Sequence, residues 1–176
     1  AGGDAIAAGD FDGDGAPDLA VLGRQVLTLI PGSGGDGARL TVDVSGSTVA
    51  MADVDGDGLD EILVGAPGEV LVVKPREQEI SRHFTGGART NVLATGDFDG
   101  DGLVDVAAGG MEETIALILH DEAGAFRPAA LFGVGSLSLS GAYGAMPGGL
   151  GGGLMIASPF EAVALPFSCA PPPSAR

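Results

Sequence analysis

The sequence predicts an all-β chain built from tandem four-stranded units, and three observations carry that prediction. The same acidic string returns at a fixed interval: DFDGDGAPD begins at Asp10, DVDGDGLDE at Asp53 and DFDGDGLVD at Asp97, 43 and then 44 residues apart. Each string is framed by short apolar runs of β-type composition, without the 3.6-residue spacing that a helical solenoid needs. Finally, 32 glycines and 11 prolines punctuate 176 residues of which 45% are hydrophobic, a mixture that suits many short strands and tight turns and argues against disorder.

Within each unit four strands follow in order. The first is small and apolar: AIAAG (5–9), TVAMA (48–52) and VLATG (92–96). The acidic loop comes next and runs directly into a second strand, LAVLG (19–23), ILVGA (62–66) or VAAGG (106–110). A third strand is VLTLI (26–30), VLVV (70–73) or IALIL (115–119), and a looser fourth is LTVDV (40–44), ISRHF (80–84) or PAALF (128–132). Four short strands in about 43 residues match one blade of a β-propeller. A fourth, degenerate copy follows, with Ala142 where a loop Asp is due, Tyr143 in the place of Phe11, Val54 and Phe98, and Leu154–Ile156 as its second strand. It keeps the blade pattern and loses every loop carboxylate, and AVALPF (162–167) supplies one more strand. The expected units are therefore residues 1–44, 45–88, 89–133 and 134–166, with 167–176 a proline-rich tail or linker.

The loops carry the chemistry. Positions 1, 3, 5 and 9 are acidic in all three: Asp10, Asp12, Asp14 and Asp18; Asp53, Asp55, Asp57 and Glu61; Asp97, Asp99, Asp101 and Asp105. In a tight curl, alternate side chains point inward, so four carboxylates converge. Glycine at position 6 supplies a backbone conformation that other residues adopt at a cost. The carbonyl of position 7 (Ala16, Leu59 or Leu103) is then able to turn inward as a further oxygen. All-oxygen ligation with tolerant geometry fits calcium; magnesium demands a stricter octahedron, and zinc would want His or Cys, which the loops lack. Three calcium sites are expected, each pinning the bend between the first two strands of its blade. Half of the 24 acidic residues fall at these positions, which accounts for much of the net charge of −16. An EF-hand would need a Glu at position 12 and a following helix, whereas Val21, Val64 and Ala108 stand there ahead of strands. A dockerin would repeat at about half this spacing.

On these residues the chain resembles the FG-GAP (VCBS-like) repeat family of integrin-type β-propellers. The resemblance rests on 9–23, 52–68 and 96–110, on the triplet Gly65-Ala66-Pro67 and on Phe132-Gly133 near the entry to the next blade. It implies calcium ligation at the positions above and an extracellular or cell-surface role in adhesion or ligand binding, with a protein or carbohydrate as ligand. Such propellers commonly have seven blades. Four repeats therefore read as a partial propeller, completed by the remaining blades of a longer chain or by self-association. The start at Ala1, without Met or a basic leader, reads as a mature or excised product.

Other classes fit poorly. Eight scattered Lys and Arg give no basic stripe for nucleic acid, and no run approaches the roughly 18 apolar residues of a membrane helix. GxSxG, HExxH and GK[ST] phosphate loops are absent, and His83 and His120 read as surface or strand-end residues. Cys169 lies alone in the proline-rich tail, unable to form an internal disulfide and without a basic neighbour to activate it. The Gly148–Gly153 run reads as a loop of the degenerate blade. The expectation is a non-catalytic binding module with structural calcium. The alternatives are an accessory propeller of a secreted hydrolase or lyase acting on polysaccharide, and a propeller lectin, for which Tyr143 and seven phenylalanines are a thin supply of aromatic platforms.

Overall fold

The computed structural model describes residues 5–33, 40–99, 101–109, 114–120, 125–133, 144–145, 153–157 and 162–166. All the regular structure among them is β, arranged in four antiparallel sheets that follow one another along the chain. The first blade is β1 (Ala5–Gly9), β2 (Asp18–Leu22), β3 (Leu27–Ile30) and β4 (Leu40–Val42), paired in that order. The second holds β5 (Thr48–Ala52), β6 (Glu61–Lys74) and β7 (Glu79–Arg89). The third is β8 (Val92–Gly96), β9 (Asp105–Gly109), β10 (Thr114–His120) and β11 (Phe126–Gly133). The last is three-stranded, with β12 (Gly144–Ala145), β13 (Gly153–Ala157) and β14 (Ala162–Pro166). The inner strands stand side by side, β1 against β5, β5 against β8 and β8 against β12, as in the successive blades of a partial propeller.

The second blade departs from the expected four strands. Residues 62–66 and 70–73 belong to one continuous strand, β6, whose first part pairs with β5 and whose second part pairs with β7. Pro67-Gly68 lies between them, with Gly68 at φ 80° as the third residue of a type II turn requires. The side chains that cover the first blade change parity there, from Ile62, Val64 and Ala66 to Leu71 and Val73. Pro67-Gly68 thus stands where the first blade has its turn before Leu27, and it is tight enough that strand pairing runs through it. In the fourth unit, Gly153–Ala157 and Ala162–Pro166 agree with the expected strands. Tyr143, Cys169 and most of the Gly148–Gly153 run lie outside the described residues.

Blades pack face to face through aliphatic side chains, as strand alternation dictates. Ala20, Leu22, Leu27 and Leu29 of the first blade meet Val49, Ile62, Val64, Leu71 and Val73 of the second. The opposite face of the second blade, with Leu63, Val70 and Val72, meets Val106, Ala108 and Ile118 of the third. The first blade's other face has no such cover among the described residues. Leu19 is 38% exposed, where its counterparts Ile62 and Val106 are 0% and 1% exposed, and Ile6 is 63% exposed.

Candidate metal centres

Each acidic loop is closed by the same pair. The residue before position 1 is paired with position 9 across the first two strands: Gly9 with Asp18, Ala52 with Glu61 and Gly96 with Asp105. Under each loop, position 2 is an apolar plug; Phe11, Val54 and Phe98 are all buried. The position-9 carboxylate is buried beside it and accepts the plug residue's amide at 2.9 Å (Phe11 to Asp18), 2.9 Å (Val54 to Glu61) and 2.8 Å (Phe98 to Asp105). Sequence reading placed these carboxylates only as ligands. Their position inside the sheet makes them anchors of the loop backbone as well.

The curl itself is built from aspartates accepting amides further along the loop, a local geometry to which Asp is well suited. In the first loop Gly13 and Gly15 donate to the two oxygens of Asp10 at 2.7 and 2.9 Å, Asp14 to Asp12 at 3.1 Å, and Ala16 to Asp14 at 2.7 Å. The second loop repeats this with Gly56 and Gly58 on Asp53 at 2.7 and 2.9 Å, Asp57 on Asp55 at 3.1 Å and Leu59 on Asp57 at 2.8 Å. The third shows Gly102 on Asp97 at 3.0 Å, Asp101 on Asp99 at 3.1 Å and Leu103 on Asp101 at 2.8 Å. The position-6 glycines Gly15, Gly58 and Gly102 have φ of 82°, 89° and 91°, the left-handed region that the sequence called for.

Three carboxylates gather in every loop, with one oxygen of each within 4.8 Å of the others. They are Asp10, Asp12 and Asp18 in the first, Asp53, Asp55 and Asp57 in the second, and Asp97, Asp99 and Asp101 in the third. Asp14 stands outside the first group, and Glu61 and Asp105 stand outside theirs. The amides of Ala16, Leu59 and Leu103 serve the curl, at the residues whose carbonyls the sequence nominated as further ligands.

The three loops differ in what surrounds position 9. Asp18 accepts a second amide from Gly32 at 2.7 Å and Asp105 one from His120 at 2.9 Å. Fourteen residues beyond Glu61 stands Pro75, which has no amide proton to give. Burial pushes the Glu61 carboxyl up to about 7, against the pull of the Val54 amide, and the charges of Asp55 and Asp57 add to the rise. Burial also raises the carboxyls of Asp99 and Asp105, with the other loop carboxylates contributing. Asp55 goes the other way. Burial works to raise it, but the Lys74 ammonium bonded to its Oδ2 outweighs that and holds it below the usual range. Lys74 is thus an internal cation at the second loop, where Pro31 and Leu119 precede the matching positions of the other blades.

Both histidine rings pack on Phe126, and the backbone amide of His120 is the one already given to Asp105. His120 ends β10, one of the two places expected of it, and is buried there, with its ring 4.8 Å from that of Phe126. His83 in β7 meets the same ring edge-on at 4.9 Å, and burial lowers its pKa.

Comparison with known families places a match on this geometry. Residues 45–78 match the FG-GAP repeat family, over the second acidic loop, the strands around it and the Gly65-Ala66-Pro67 triplet. The match lies on the second unit, and among the described residues the first and third loops repeat its bonds from the amides of positions 2, 5, 6 and 7. Repeats of this family are typical of extracellular, adhesion-type β-propellers. A comparison with curated proteins returned no match. Among the described residues no helix is long and apolar enough to cross a membrane.

Proposed function

We propose that this chain is a calcium-stabilised, non-catalytic module of an extracellular binding or adhesion propeller, whose ligand is a protein or a carbohydrate. The observation that carries the reading is the threefold gathering of carboxylate oxygens within 4.8 Å, at the same bend of three successive blades. Three carboxylates so close repel one another unless a cation or protons offset their charge. Burial raises the carboxyls of Glu61, Asp99 and Asp105, and the charges of neighbouring loop carboxylates add to the rise. The donor set is oxygen throughout, which suits a hard cation. The residues that would hold it are the acidic side chains at positions 1, 3, 5 and 9 and the position-7 carbonyls. When bound, calcium supplies positive charge and cross-links the start of each loop to its end.

The chain's own residues prepare the sites. The plug at position 2, the buried anchor at position 9 and the left-handed glycines set the curl before any ion enters, so the ordering cost that still opposes binding is reduced to that of the ligand side chains and the backbone that carries them. Calcium at about 100 times its dissociation constant would then add roughly 2.7 kcal/mol per site. Passing the protein over a chelating resin should lower its melting temperature by several degrees, and millimolar calcium, but not magnesium, should restore it. The combined change Asp12→Asn, Asp55→Asn and Asp99→Asn should remove the calcium response. A melting temperature indifferent to calcium would end the proposal.

A further inference from the structure

We infer that Asp60 makes the first two acidic loops a coupled pair for cation binding, and that the third loop lies outside this coupling. The inference rests on the calcium reading above. Asp60 is position 8 of the second loop, yet its side chain serves the first. Its carboxylate Oδ2 accepts the amide of Asp10 at 2.8 Å, and its own amide donates to the carbonyl of Asp10 at 2.9 Å. Both backbone polar groups of Asp10, the first ligand residue of the first loop, are therefore held by the second. Gly9 makes room for this: a Cβ there would lie 2.3 Å from Asp60 Oδ2. Two further contacts run the same way. The Arg76 guanidinium, just beyond β6, donates to the carbonyl of Asp12, and Leu59 packs so close to Gly13 that a Cβ there would meet its Cδ2 at 2.6 Å.

Asp60 follows directly on Leu59, whose amide is bonded to Asp57 Oδ1 within the second loop. An ion drawing in Asp55, Asp57 and the Leu59 carbonyl would fix Asp60, and Asp60 would in turn fix Asp10. Ordering one loop thus lowers the ordering cost of the other, and linkage makes the effect reciprocal. The next junction lacks the device. Position 8 of the third loop is Val104, which has no side-chain acceptor, and Ala52 stands where Gly9 stands. Ala52 and Val104 both pack on the apolar core between the second and third blades. No hydrogen bond joins Val104 to the backbone of Asp53 among the described residues.

Calcium titration of the full chain followed by amide NMR tests this, with Gly15, Gly58 and Gly102 reporting the three loops separately. Silencing the second loop with Asp55→Asn and Asp57→Asn should weaken calcium binding at the first by about 5-fold or more, the low end of usual allosteric couplings, and leave the third unchanged. Asp60→Ala should weaken the first loop and, by reciprocity, the second, leave the third unchanged, and make the first indifferent to silencing of the second. Asp60→Asn keeps an acceptor for the Asp10 amide and should retain most of the coupling. An unchanged Gly15 titration in Asp60→Ala overturns the inference. So does an equal loss at Gly102, which would mark general destabilisation. If wild-type glycine amides do not respond to calcium, the calcium reading itself falls, and this inference with it.

Discussion

The two junctions that flank the second blade join the same architecture by different chemistry. Between the first and second blades, Phe11, Leu22, Leu29, Ile62, Val64 and Leu71 form a wide apolar layer, and its loop end is closed by the two hydrogen bonds exchanged by Asp60 and Asp10. Between the second and third, a smaller buried set including Leu63, Val72, Val106 and Ile118 is extended to the loop end by Ala52 and Val104. One junction ends in a polar latch and the other in an apolar contact. Aliphatic burial is non-directional and holds the blades together whether or not ions are present. A latch through Asp10 transmits the state of one loop to the next.

The widest test of this contrast is to weaken each core in turn. Leu71→Ala and Ile118→Ala each truncate a buried aliphatic side chain, and each should cost about 2–5 kcal/mol in urea unfolding, with the larger cost at Leu71. In a stack of repeats held by nearest-neighbour interfaces, loss of one interface should also begin to separate the unfolding transitions of the blades it joined. Equal costs with a single shared transition would show that the two junctions are energetically alike and that the contrast is confined to the loops.

A smaller effect is expected at Glu61, the position-9 anchor that accepts no second amide among the described residues. Its carboxyl titrates near 7 in the folded chain against an ordinary value of 4.5. The folded state therefore holds this proton more tightly than the unfolded state does. Its contribution to stability is fully present below about pH 4.5 and is lost as pH rises through about 7. In calcium-free buffer, Glu61→Gln, which keeps an acceptor for the Val54 amide, should flatten the fall in melting temperature between pH 5 and 7.5. Parallel profiles for variant and wild type would refute the assignment. Calcium should flatten the wild-type profile too, because it offsets the charges of Asp55 and Asp57.

Much of this was legible in the sequence. Loop spacing, glycine positions and strand composition gave the blades, because each is a local property of a few neighbouring residues. The merging of two expected strands into β6 was not legible, although Ala66-Pro67-Gly68-Glu69 has the residues of a type II turn; how closely strands pair around a turn is a tertiary matter. The anchoring of Asp18, Glu61 and Asp105 on buried amides was missed because ligand logic counts oxygens and not their other partners. Asp60 was missed because a periodic motif draws the eye to what repeats. Position 8 is Pro17, Asp60 and Val104 in turn, and that variation was the trace of a contact made between blades.

The finest test moves the latch. Ala52→Gly with Val104→Asp would recreate at the second junction the pair that Gly9 and Asp60 form at the first. Ala52 pairs with Glu61 as Gly9 pairs with Asp18, so the bare Cα would lie in the corresponding place. A new bond to the Asp53 amide should contribute about 0.5–1.5 kcal/mol, less whatever is lost by withdrawing Val104 and the Ala52 methyl from the apolar cluster. Net stability should therefore change little. Coupling should change more: calcium at the second loop should become sensitive to silencing of the third by Asp99→Asn and Asp101→Asn, as in wild type it is not. Val104→Asp alone, with the Ala52 methyl still in the way, should destabilise the chain without creating that sensitivity. If the double variant gains no dependence of the second loop on the third, a carboxylate at position 8 is insufficient, and the close fit of Leu59 and Arg76 around the first loop must carry the coupling instead.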